Sequence, residues 1–573
     1  MTETRCSAAV AAGSGDAADG FSLSALLAAV AAAVPERTAV VAGRRRLTFA
    51  ALDERATRMA RHLRAAGISP GEHVAVLSFN RAEWLESAFG ALRAGAVPVN
   101  VNYRYVPGEL RHVLADADAV ALIAERALAR RVAGIRHDLP LLRHVLLLDD
   151  GTEPAADPLP GTGGTGGTGG TDYEAALAAA PDGALPPTSG ADRYLLYTGG
   201  TTGYPKGVLW RQEDIFRAAL EPRRRGAPRA RSAAELGERA RRAEPRPMLV
   251  LGPLMHAAGQ WNALATLFSG QTVVLNTDRT FDPGRVLDLA ERERVQVLQC
   301  VGDAMARPIA LRLRAEPDRC PELASVTSGG TPLTPAVRAL WRSWRPGIAL
   351  RDSYGGSETG VCGASQADHA GDGDVRRFTM GASVAVLDAE LRPLPPGSEQ
   401  VGRIARTGRI PLGYYNDPVA TARTFPTDPG GRRWVMSGDF GAVAEDGSIV
   451  LLGRGASVIN TGGEKVYPEE VESVLKAHPA IADSIVVAAP DERLGQRVAA
   501  VVSLAADDRP SGDQLRDFCR DRLAGFKVPR RIHVVPEVKR TAVGKQDYRW
   551  AAAVVRGSAG LLDGPGPAAG AGR

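Results

Sequence analysis

The stretch YLLYTGGTTGYPKGV (residues 194–208) joins an apolar strand to a loop of glycine and threonine that ends at Lys206. Glycine lets backbone N–H groups approach an anion closely, threonine hydroxyls add donors, and the lysine adds a positive charge. The spacing differs from the GxxxxGKS/T pattern of ordinary P-loop nucleotidases. The sequence therefore predicts a phosphate-binding loop of another type.

Short apolar strands alternate with helices on both sides of this loop. One helical pattern is LDERATRMARHLRAAG (52–67). The strands are predicted from β-branched runs, namely HVAVLSF (73–79), PMLVLGP (247–253), TVVLN (272–276) and VQVLQCV (295–301). Such alternation is typical of α/β proteins with largely parallel strands.

The length of 573 residues exceeds what one hydrophobic core usually supports, so at least two folded units are expected. The pattern changes near Gly453, after which come EEVESVLKAHP, DSIVVAAPDE and RVAAVVSLA. We predict a large α/β domain over residues 21–453 and a small α+β domain over residues 454–556.

Four segments have compositions that do not suit a packed core. Residues 1–20 and 557–573 are expected to be disordered tails, and the glycine and threonine repeat of residues 151–171 a flexible loop. Residues 221–246 are rich in arginine and alanine. They are predicted to form a polar insertion with a helical pattern and a solvated face.

Charge and cysteine content exclude several classes of protein. A net charge of +5 in local arginine clusters argues against nucleic-acid binding. The five cysteines have neither disulfide-framework nor zinc-ligand spacing, which favours a reduced compartment. The apolar residues 21–34 are too short to cross a bilayer and predict a buried first helix ended by Pro35. We expect a cytoplasmic protein without an integral membrane segment.

The string YTGGTTGYPKG (197–207) resembles the phosphate loop of the adenylate-forming superfamily, which includes acyl-CoA synthetases, luciferases and nonribosomal-peptide adenylation domains. Five further motifs follow in the order of that family: SGGTPL (328–333), SYGGSETG (353–360), MSGDFG (436–441), GRGASVINTGGEKVYPEEVE (453–472) and RTAVGKQDYR (540–549). The resemblance implies a large N-terminal domain with parallel-rich sheets and a small, mobile C-terminal domain that carries a catalytic lysine.

The resemblance also implies an ATP site. Tyr354 would stack on adenine, Asp352 would accept from its amino group, and Asp439 would accept both ribose hydroxyls. Glu358 would bind Mg²⁺, with Thr201 nearby. The full expected set of ATP- and AMP-binding residues is Thr198, Gly199, Gly200, Thr201, Thr202, Gly203, Lys206, Gly329, Gly330, Asp352, Ser353, Tyr354, Gly355, Ser357, Asp439 and Arg454.

Three catalytic residues are implied, namely Lys206, His256 and Lys545. Lys545 would approach the reacting carboxylate and the α-phosphate. His256 in PLMHAAGQW (253–261) would control access to an acyl pocket that includes Gly259. Gly462 and Gly463 would line a tunnel for the pantetheine arm of coenzyme A. Mg²⁺ and the two lysines would neutralise the charge that builds on carboxylate and pyrophosphate.

The sequence departs from the family pattern at two places. Gly199 stands where serine is usual in the phosphate loop. Ala456 and Ser457 occupy the hinge, where aspartate or lysine is normally found, so the balance between the two domain arrangements could be altered.

The activity implied is ATP-dependent acyl-CoA synthesis, which forms an acyl-adenylate and pyrophosphate and then acyl-CoA and AMP. VNVNYRYVPGELRHVL (99–114) and GDAMARP (302–308) look most like bacterial steroid-side-chain and long-chain fatty acyl-CoA ligases, which implies a large apolar acid. Small or aromatic acids and a carrier protein as acyl acceptor stay open as alternatives, as does a homodimer. An inactive nucleotide sensor is disfavoured, because Lys206, Glu358, Asp439 and Lys545 are all present.

Overall fold

The computed structural model describes residues 21–152, 170–198, 205–222, 228–365, 377–454, 458–461, 464–491, 495–505, 509–523, 525–541 and 546–557. The predicted tail 1–20, residues 153–169 of the predicted flexible loop and residues 558–573 lie outside these ranges. Thr171 belongs to a short strand, and Gly557 is the last residue of a helix.

Helices and strands alternate along most of the chain. The helices are α1 (Leu23–Ala33), α2 (Phe49–Ala65), α3 (Ala82–Arg93), α4 (Pro107–Asp116), α5 (Arg126–Ala133), α6 (Tyr173–Ala178), α7 (Gln212–Ile215), α8 (Ala233–Arg242), α9 (Ala257–Phe268), α10 (Pro283–Arg292), α11 (Asp303–Ala315), α12 (Pro335–Trp344), α13 (Pro418–Thr424), α14 (Pro468–Ala477), α15 (Gly512–Arg520) and α16 (Tyr548–Gly557). None of the helices in the described ranges is long and apolar enough to cross a membrane.

The strands of the described residues form three sheets. The first has the order β19 (Gly413–Tyr414), β9 (Lys206–Arg211), β8 (Arg193–Thr198), β4 (Val97–Asn100), β3 (His73–Leu77), β5 (Ala119–Glu125), β6 (His144–Leu148) and β7 (Thr171–Asp172). Its strands are parallel except at β9, which is antiparallel to both of its neighbours.

The second sheet has the order β17 (Val384–Leu387), β18 (Gly402–Thr407), β21 (Asp439–Val443), β22 (Ile449–Arg454), β16 (Arg377–Met380), β15 (Gly360–Ala364), β14 (Ala349–Gly356), β13 (Ser325–Gly329), β12 (Val297–Cys300), β10 (Met248–Val250), β11 (Val273–Leu275), β1 (Thr38–Ala42) and β2 (Arg45–Thr48), with β20 (Trp434–Val435) beside β18. The pairs from β14 to β1 are parallel, and the pairs from β15 to β17 are antiparallel.

The third sheet belongs to the small C-terminal domain. It has the order β24 (Glu464–Val466), β23 (Ile459–Thr461), β26 (Gly495–Leu504) and β25 (Ile481–Asp491), with β27 (Arg531–Val534) beside β26. Successive residues of β25 point to opposite faces. Val486 packs with Leu475 of α14 and Leu515 of α15, whereas Ile485 packs with Val555 of α16. This domain has the predicted α+β class.

The predicted first helix is confirmed. Ser22 accepts a hydrogen bond from the N–H of Ala25 (3.1 Å), which caps α1, and Leu23, Leu26, Leu27 and Val30 are fully buried. A helix that is apolar on all sides belongs in a core. The predicted strands at residues 73–79, 247–253, 272–276 and 295–301 are confirmed as β3, β10, β11 and β12.

The polar insertion contains a helix with one buried face. In α8, Leu236 and Ala240 are buried, and a Cβ at Gly237 would lie 2.7 Å from the carbonyl oxygen of Ala29 in α1. The arginines of α8 pair with Glu235 and Glu238 on the outer side. The expected solvated face is therefore only the outer side of this helix, and the other side is buried.

Parallel pairing sets the position of the candidate site. Cys300, Ser328 and Asp352 occupy one row across β12, β13 and β14. The loops that follow parallel strands emerge at the same edge of a sheet, where ligands of open α/β sheets bind. The motifs that begin at Gly302, Ser328 and Ser353 consequently meet at one edge.

Candidate active site

The phosphate-loop motif is anchored by an antiparallel strand pair. Thr198 ends β8 and is paired with Lys206, the first residue of β9. The ammonium of Lys206 lies 2.7 Å from a carboxylate oxygen of Asp417 and 5.4 Å from the centre of the Tyr414 ring. The predicted ligands Gly199, Gly200, Thr201, Thr202 and Gly203 lie outside the described residues.

Glu358, the predicted Mg²⁺ ligand, lies in the turn between β14 and β15. The indole N–H of Trp210 donates to the carbonyl of Ser357 at 3.0 Å. On the other side, Nη1 of buried Arg406 donates to the carbonyl of Thr359 at 2.6 Å. Gly355 is required here because a Cβ would collide with the carbonyl of Gly360 on the neighbouring strand. The turn is thus fixed from both sides.

Tyr414 links the predicted metal and phosphate residues. Its hydroxyl donates to Oε1 of Glu358 at 3.0 Å, and its ring lies beneath the ammonium of Lys206. Glu358 and Lys206 are 152 positions apart in the chain, so only the fold brings them together.

The predicted adenine and ribose residues also meet. The hydroxyl of Tyr354 donates to Oδ2 of Asp439 at 2.8 Å, and the hydroxyl of Ser437 donates to the same oxygen at 3.0 Å. The Tyr354 ring packs on Phe378 with 5.4 Å between ring centres. Ser353, beside Tyr354, is exposed on β14. Asp439 is also the backbone partner of Arg454 at the end of β22, where the side chain of Arg454 lies outside the described part.

Asp352 has partners within the protein. Only 1% of the residue is exposed, and its carboxylate accepts hydrogen bonds from the guanidinium of Arg338 and from the N–H of Leu333 (3.2 Å). Burial raises the pKa of Asp352 to about 6, against the opposing effect of Arg338. Arg338 also donates to the carbonyl of Leu333 at 3.2 Å. Through these hydrogen bonds Arg338 and Asp352 hold the loop that follows Gly330. The contact of Asp352 with adenine stays a prediction.

The loop that carries Gly329 and Gly330 has further supports. The N–H and the hydroxyl of Thr334 both donate to Asp303, at 3.0 and 2.6 Å. The hydroxyl of Ser328 donates to the carbonyl of Thr331 at 2.6 Å. Gly330 has a φ of +86°, which an L-residue adopts only with strain. The protein's own hydrogen bonds thus hold this loop.

The predicted acyl motif lies at the start of α9. His256 is the N-cap residue, and a Cβ at Gly259 would collide with the carbonyls of Gly252 and Pro253. Gly259 is therefore needed for close packing, and its place in an acyl pocket stays a prediction. Ala258 lies 3.9 Å from the point where Gly329 would carry a Cβ. The acyl motif and the adenine loop are neighbours.

Side-chain amides hold the residues that precede this helix. Asn80 accepts from the N–H of Leu254 at 2.8 Å, and Gln299 accepts from that of Gly252 at 2.9 Å. Asn100 donates to the carbonyl of Met255 at 2.6 Å. Asn80 and Asn100 follow or end strands of the first sheet, whereas Gln299 is in the second. The residues just before His256 are thus held by side chains from both sheets.

The C-terminal motifs are only partly within the described residues. Lys545, Gly462, Gly463, Ala456 and Ser457 lie outside them. Both flanks of Lys545 are anchored on the small domain, since Arg540 pairs with Asp483 and Gln546 donates to Glu472. Burial raises the pKa of Glu472 to about 8. A Cβ at Gly453 would collide with Glu469 of α14, so this glycine permits a close approach at the domain junction.

The donor set suits Mg²⁺ bound together with substrate phosphates. Among the described residues, no three or more His, Cys, Asp or Glu side chains converge as a metal site. Mg²⁺ is commonly bound by one or two carboxylates plus phosphate oxygens. The carboxylate of Glu358, linked to Lys206 through Tyr414, fits that requirement.

Four residues of the site were not predicted from the sequence: Arg338, Arg406, Tyr414 and Asp417. Asp417 had a local signal, because Asp before Pro418 is a helix-start pattern, and it does cap α13. Nothing in the linear sequence indicates what the other three contact, since their partners come from other elements.

Two stretches of the chain match family profiles. Residues 27–415 match the profile described as AMP-binding enzyme, and residues 470–545 match AMP-binding enzyme C-terminal domain. A 3-oxocholest-4-en-26-oate--CoA ligase of Rhodococcus rhodochrous is 39% identical over 532 residues, or 90% of this chain and 93% of that protein.

A second relative and a solved structure extend the comparison. The medium/long-chain-fatty-acid--CoA/3-oxocholest-4-en-26-oate--CoA ligase of Mycobacterium tuberculosis (strain CDC 1551 / Oshkosh) is 40% identical over 526 residues, covering 91% of this chain and 93% of the relative. The crystal structure of the anthranilate CoA ligase AuaEII with anthranoyl-AMP superposes with a TM-score of 0.79 over 94% of this chain and 98% of the other. At 22% identity that likeness concerns the fold alone.

Proposed function

The chain belongs to the AMP-binding enzyme family, and we propose that it is an ATP-dependent acyl-CoA synthetase for a large apolar carboxylic acid. It is an acid–thiol ligase that forms AMP. The acid and ATP give an acyl-adenylate and pyrophosphate, and the adenylate and coenzyme A give acyl-CoA and AMP. The observation that carries the proposal is the meeting of Lys206 and Glu358 at Tyr414.

The first half-reaction needs stabilisation of negative charge more than covalent catalysis. The carboxylate of the acid attacks the α-phosphorus while pyrophosphate leaves, so charge builds at both ends of the reacting group. Lys206 supplies a cation at one side and, in the proposal, Lys545 a second. Glu358 would hold Mg²⁺ together with the polyphosphate, and the ion would supply Lewis-acid stabilisation of the leaving pyrophosphate.

The nucleotide base and ribose would lie along β14 and β21. Tyr354 offers an aromatic face, and Asp439, already an acceptor for two hydroxyls, would accept from the ribose. Because Tyr354 and Ser437 now donate to the oxygen Oδ2 of Asp439, the ribose hydroxyls can replace donors of the same chemical type. The loop of Gly329 and Gly330 would line the adenine site.

The second half-reaction would use the small domain. Lys545 must leave the site and coenzyme A must enter, which a swing at residues 454–457 would accomplish. Gly462 and Gly463 would then line the pantetheine tunnel.

The proposed acid is a long-chain fatty acid or a steroid with a side-chain carboxylate. Both relatives described above are ligases for a steroid-derived acid, and one also for medium- and long-chain fatty acids. The small residues Ala257 and Ala258 beside His256 support room for a bulky acid. We place the enzyme in the cytoplasm, since the cysteines within the described residues are free and buried.

Isotope exchange between ATP and pyrophosphate tests the proposal. With Mg²⁺ and palmitate or 3-oxocholest-4-en-26-oate but no coenzyme A, we expect exchange that depends on the acid. Added coenzyme A should then yield acyl-CoA and AMP in equal amounts. Exchange without any acyl-CoA would favour a carrier protein as acceptor, and no exchange with any acid would contradict the proposal.

A further inference from the structure

The segment Gly413–Asp417, here called the GYYND segment, has no catalytic role in the proposed reaction. It nevertheless contacts Lys206 and Glu358, the two charged groups that do have one. It begins with β19, which pairs with β9 so that Tyr414 lies opposite Val208, two residues from Lys206. The pairing of β19 with β9 fixes the start of the segment, and the start of α13 fixes its end. Its position is therefore set by backbone structure on each side.

One side of the segment is attached to the turn between α4 and β5. The hydroxyl of Tyr415 donates to Oδ2 of Asp118 at 2.9 Å, and the amide of Asn416 donates to the carbonyl of Asp116 at 2.9 Å. The Tyr415 ring also meets His73 edge to face at 4.9 Å. Tyr415 and Asn416 thus attach the segment to the first sheet.

Asp417 faces Lys206, and its two carboxylate oxygens accept hydrogen bonds from different partners. Oδ1 accepts the N–H of Ala420 at 2.9 Å and so caps α13, while Oδ2 accepts from the ammonium of Lys206 at 2.7 Å. The hydrogen bond from Lys206 lowers the pKa of Asp417. An ammonium has three donors, so two remain for phosphate oxygens when one is held by Asp417.

Tyr414 is held on its backbone and ring sides and faces Glu358. Its N–H donates to the hydroxyl of Thr421 at 2.9 Å, and its ring packs edge to face on Phe425 at 5.8 Å. The hydroxyl is consequently held where it donates to Oε1 of Glu358 at 3.0 Å. This hydrogen bond fixes the orientation of the Glu358 carboxylate.

We propose that Tyr414 and Asp417 are positioning residues for adenylate formation, in which Tyr414 sets the carboxylate of Glu358 for Mg²⁺ and Asp417 sets the ammonium of Lys206 for phosphate. The inference rests on the proposed function and adds two residues that would not touch the substrates. Partners that orient a metal-binding carboxylate commonly change metal affinity by about 10–100-fold when removed. The two contacts make separate predictions.

Tyr414→Phe removes the hydroxyl and keeps the ring against Lys206 and Phe425. The matched control is Tyr415→Phe, which removes the neighbouring hydroxyl from the same segment. In ATP–pyrophosphate exchange with palmitate or 3-oxocholest-4-en-26-oate, Tyr414→Phe should raise the Mg²⁺ concentration for half-maximal rate about tenfold. At saturating Mg²⁺ its rate should return to within about twofold of the wild type, and the control should keep the wild-type Mg²⁺ curve.

Asp417→Asn removes the charge and keeps a residue that caps helices well. We expect kcat of exchange to fall about tenfold, because Lys206 loses a charge-assisted hydrogen bond that fixes it. KM for MgATP should not rise, since a negative charge near the phosphates is removed. The thermal midpoint should match the wild type, which separates positioning from unfolding.

A double-mutant cycle completes the test. In a Glu358→Gln background, Tyr414→Phe should add less than about a twofold change in Mg²⁺ dependence, because its partner is already altered. The inference is overturned if Tyr414→Phe leaves the Mg²⁺ curve unchanged, if Asp417→Asn raises KM with kcat intact, or if Tyr415→Phe causes equal losses. Absence of exchange in the wild type with both acids would instead contradict the proposed function.

Discussion

Glu358 and Lys206 illustrate how single residues acquire their roles. Each is an ordinary surface charge when considered alone, and each lies near the end of a strand that the fold places beside Tyr414. Glu358 has the only charge in its own turn, Ser357 to Gly360, so the metal dependence of the reaction should be sensitive to it.

Glu358→Gln should raise the Mg²⁺ and ATP concentrations needed for activity, because one anionic ligand beside the polyphosphate is lost. A steady-state Mg²⁺ titration with saturating acid measures this. An unchanged titration curve in a folded variant would remove Glu358 from the metal site.

Arg338→Leu should lower the free energy of unfolding by about 3 kcal/mol, because it leaves the buried carboxylate of Asp352 without its cation. Urea denaturation followed by fluorescence measures the change. The double variant with Asp352→Asn should recover at least half of the loss, since no unpaired charge remains. A loss below about 1 kcal/mol in Arg338→Leu would show that Asp352 is neutral or otherwise satisfied.

The sequence predicts the residues of the site better than their contacts. The motifs identified Tyr354, Asp439, Glu358 and Lys206. In the structure Tyr354 contacts Asp439, and Tyr414 contacts both Glu358 and Lys206. Arg338, Arg406, Tyr414 and Asp417 were missed because their partners lie outside their own helix or strand. Lys206 and Asp417, for example, are 211 positions apart.

At the scale of elements, β-branched runs predicted the strands β3, β10, β11 and β12, and an apolar stretch followed by Pro35 predicted the first helix. The antiparallel strands β15 to β22 were not identified individually, because their runs are short and only partly buried. Helix α8 lies in the segment 221–246, for which a solvated face was expected because the segment is rich in arginine and alanine. The buried face of α8 is centred on Gly237. That glycine is the contact point, because it lets the backbones of α8 and α1 approach.

Gly237→Leu should destabilise the protein by about 1–3 kcal/mol, because the new side chain would collide with the Ala29 backbone. The exposed position Ala234 on the same helix provides the control, and Ala234→Leu should change stability little. Thermal unfolding reports both. Since α8 supplies none of the site contacts described above, exchange activity per folded molecule should stay within about twofold; equal stability of the two variants would contradict the packing role of α8.

At the scale of the whole molecule, family membership confirms the resemblance drawn from the motifs, and it extends over both domains. The domain boundary near Gly453 stays a prediction. It is consistent with β22 ending at Arg454 and the third sheet beginning at Ile459. The identity of the acid could not be read from the sequence, because the walls of a pocket come from loops that are far apart in the chain.

Lys545→Ala should abolish adenylate formation and spare thioester formation from a supplied acyl-adenylate, because this lysine would act only in the first half-reaction. The two half-reactions are measured separately, by ATP–pyrophosphate exchange and by acyl-CoA release. Lys539→Ala, which removes an exposed charge from the segment preceding Lys545, is the control and should retain both activities. Equal loss of both half-reactions in folded Lys545→Ala would contradict the role.

The central claim is tested most directly by competition among acids. Acetate, octanoate, palmitate, benzoate and a C24 or C27 steroid acid are mixed at equal concentration with ATP, Mg²⁺ and coenzyme A, and the acyl-CoA products are resolved by mass. Each buried methylene contributes about 0.8 kcal/mol, so kcat/KM should rise with the apolar size of the acid before it levels off. The account predicts palmitoyl-CoA or the steroid thioester as the main product, with AMP formed in equal amount. A mixture dominated by acetyl-CoA or benzoyl-CoA would contradict the proposed substrate, and the absence of every thioester would contradict the proposed activity.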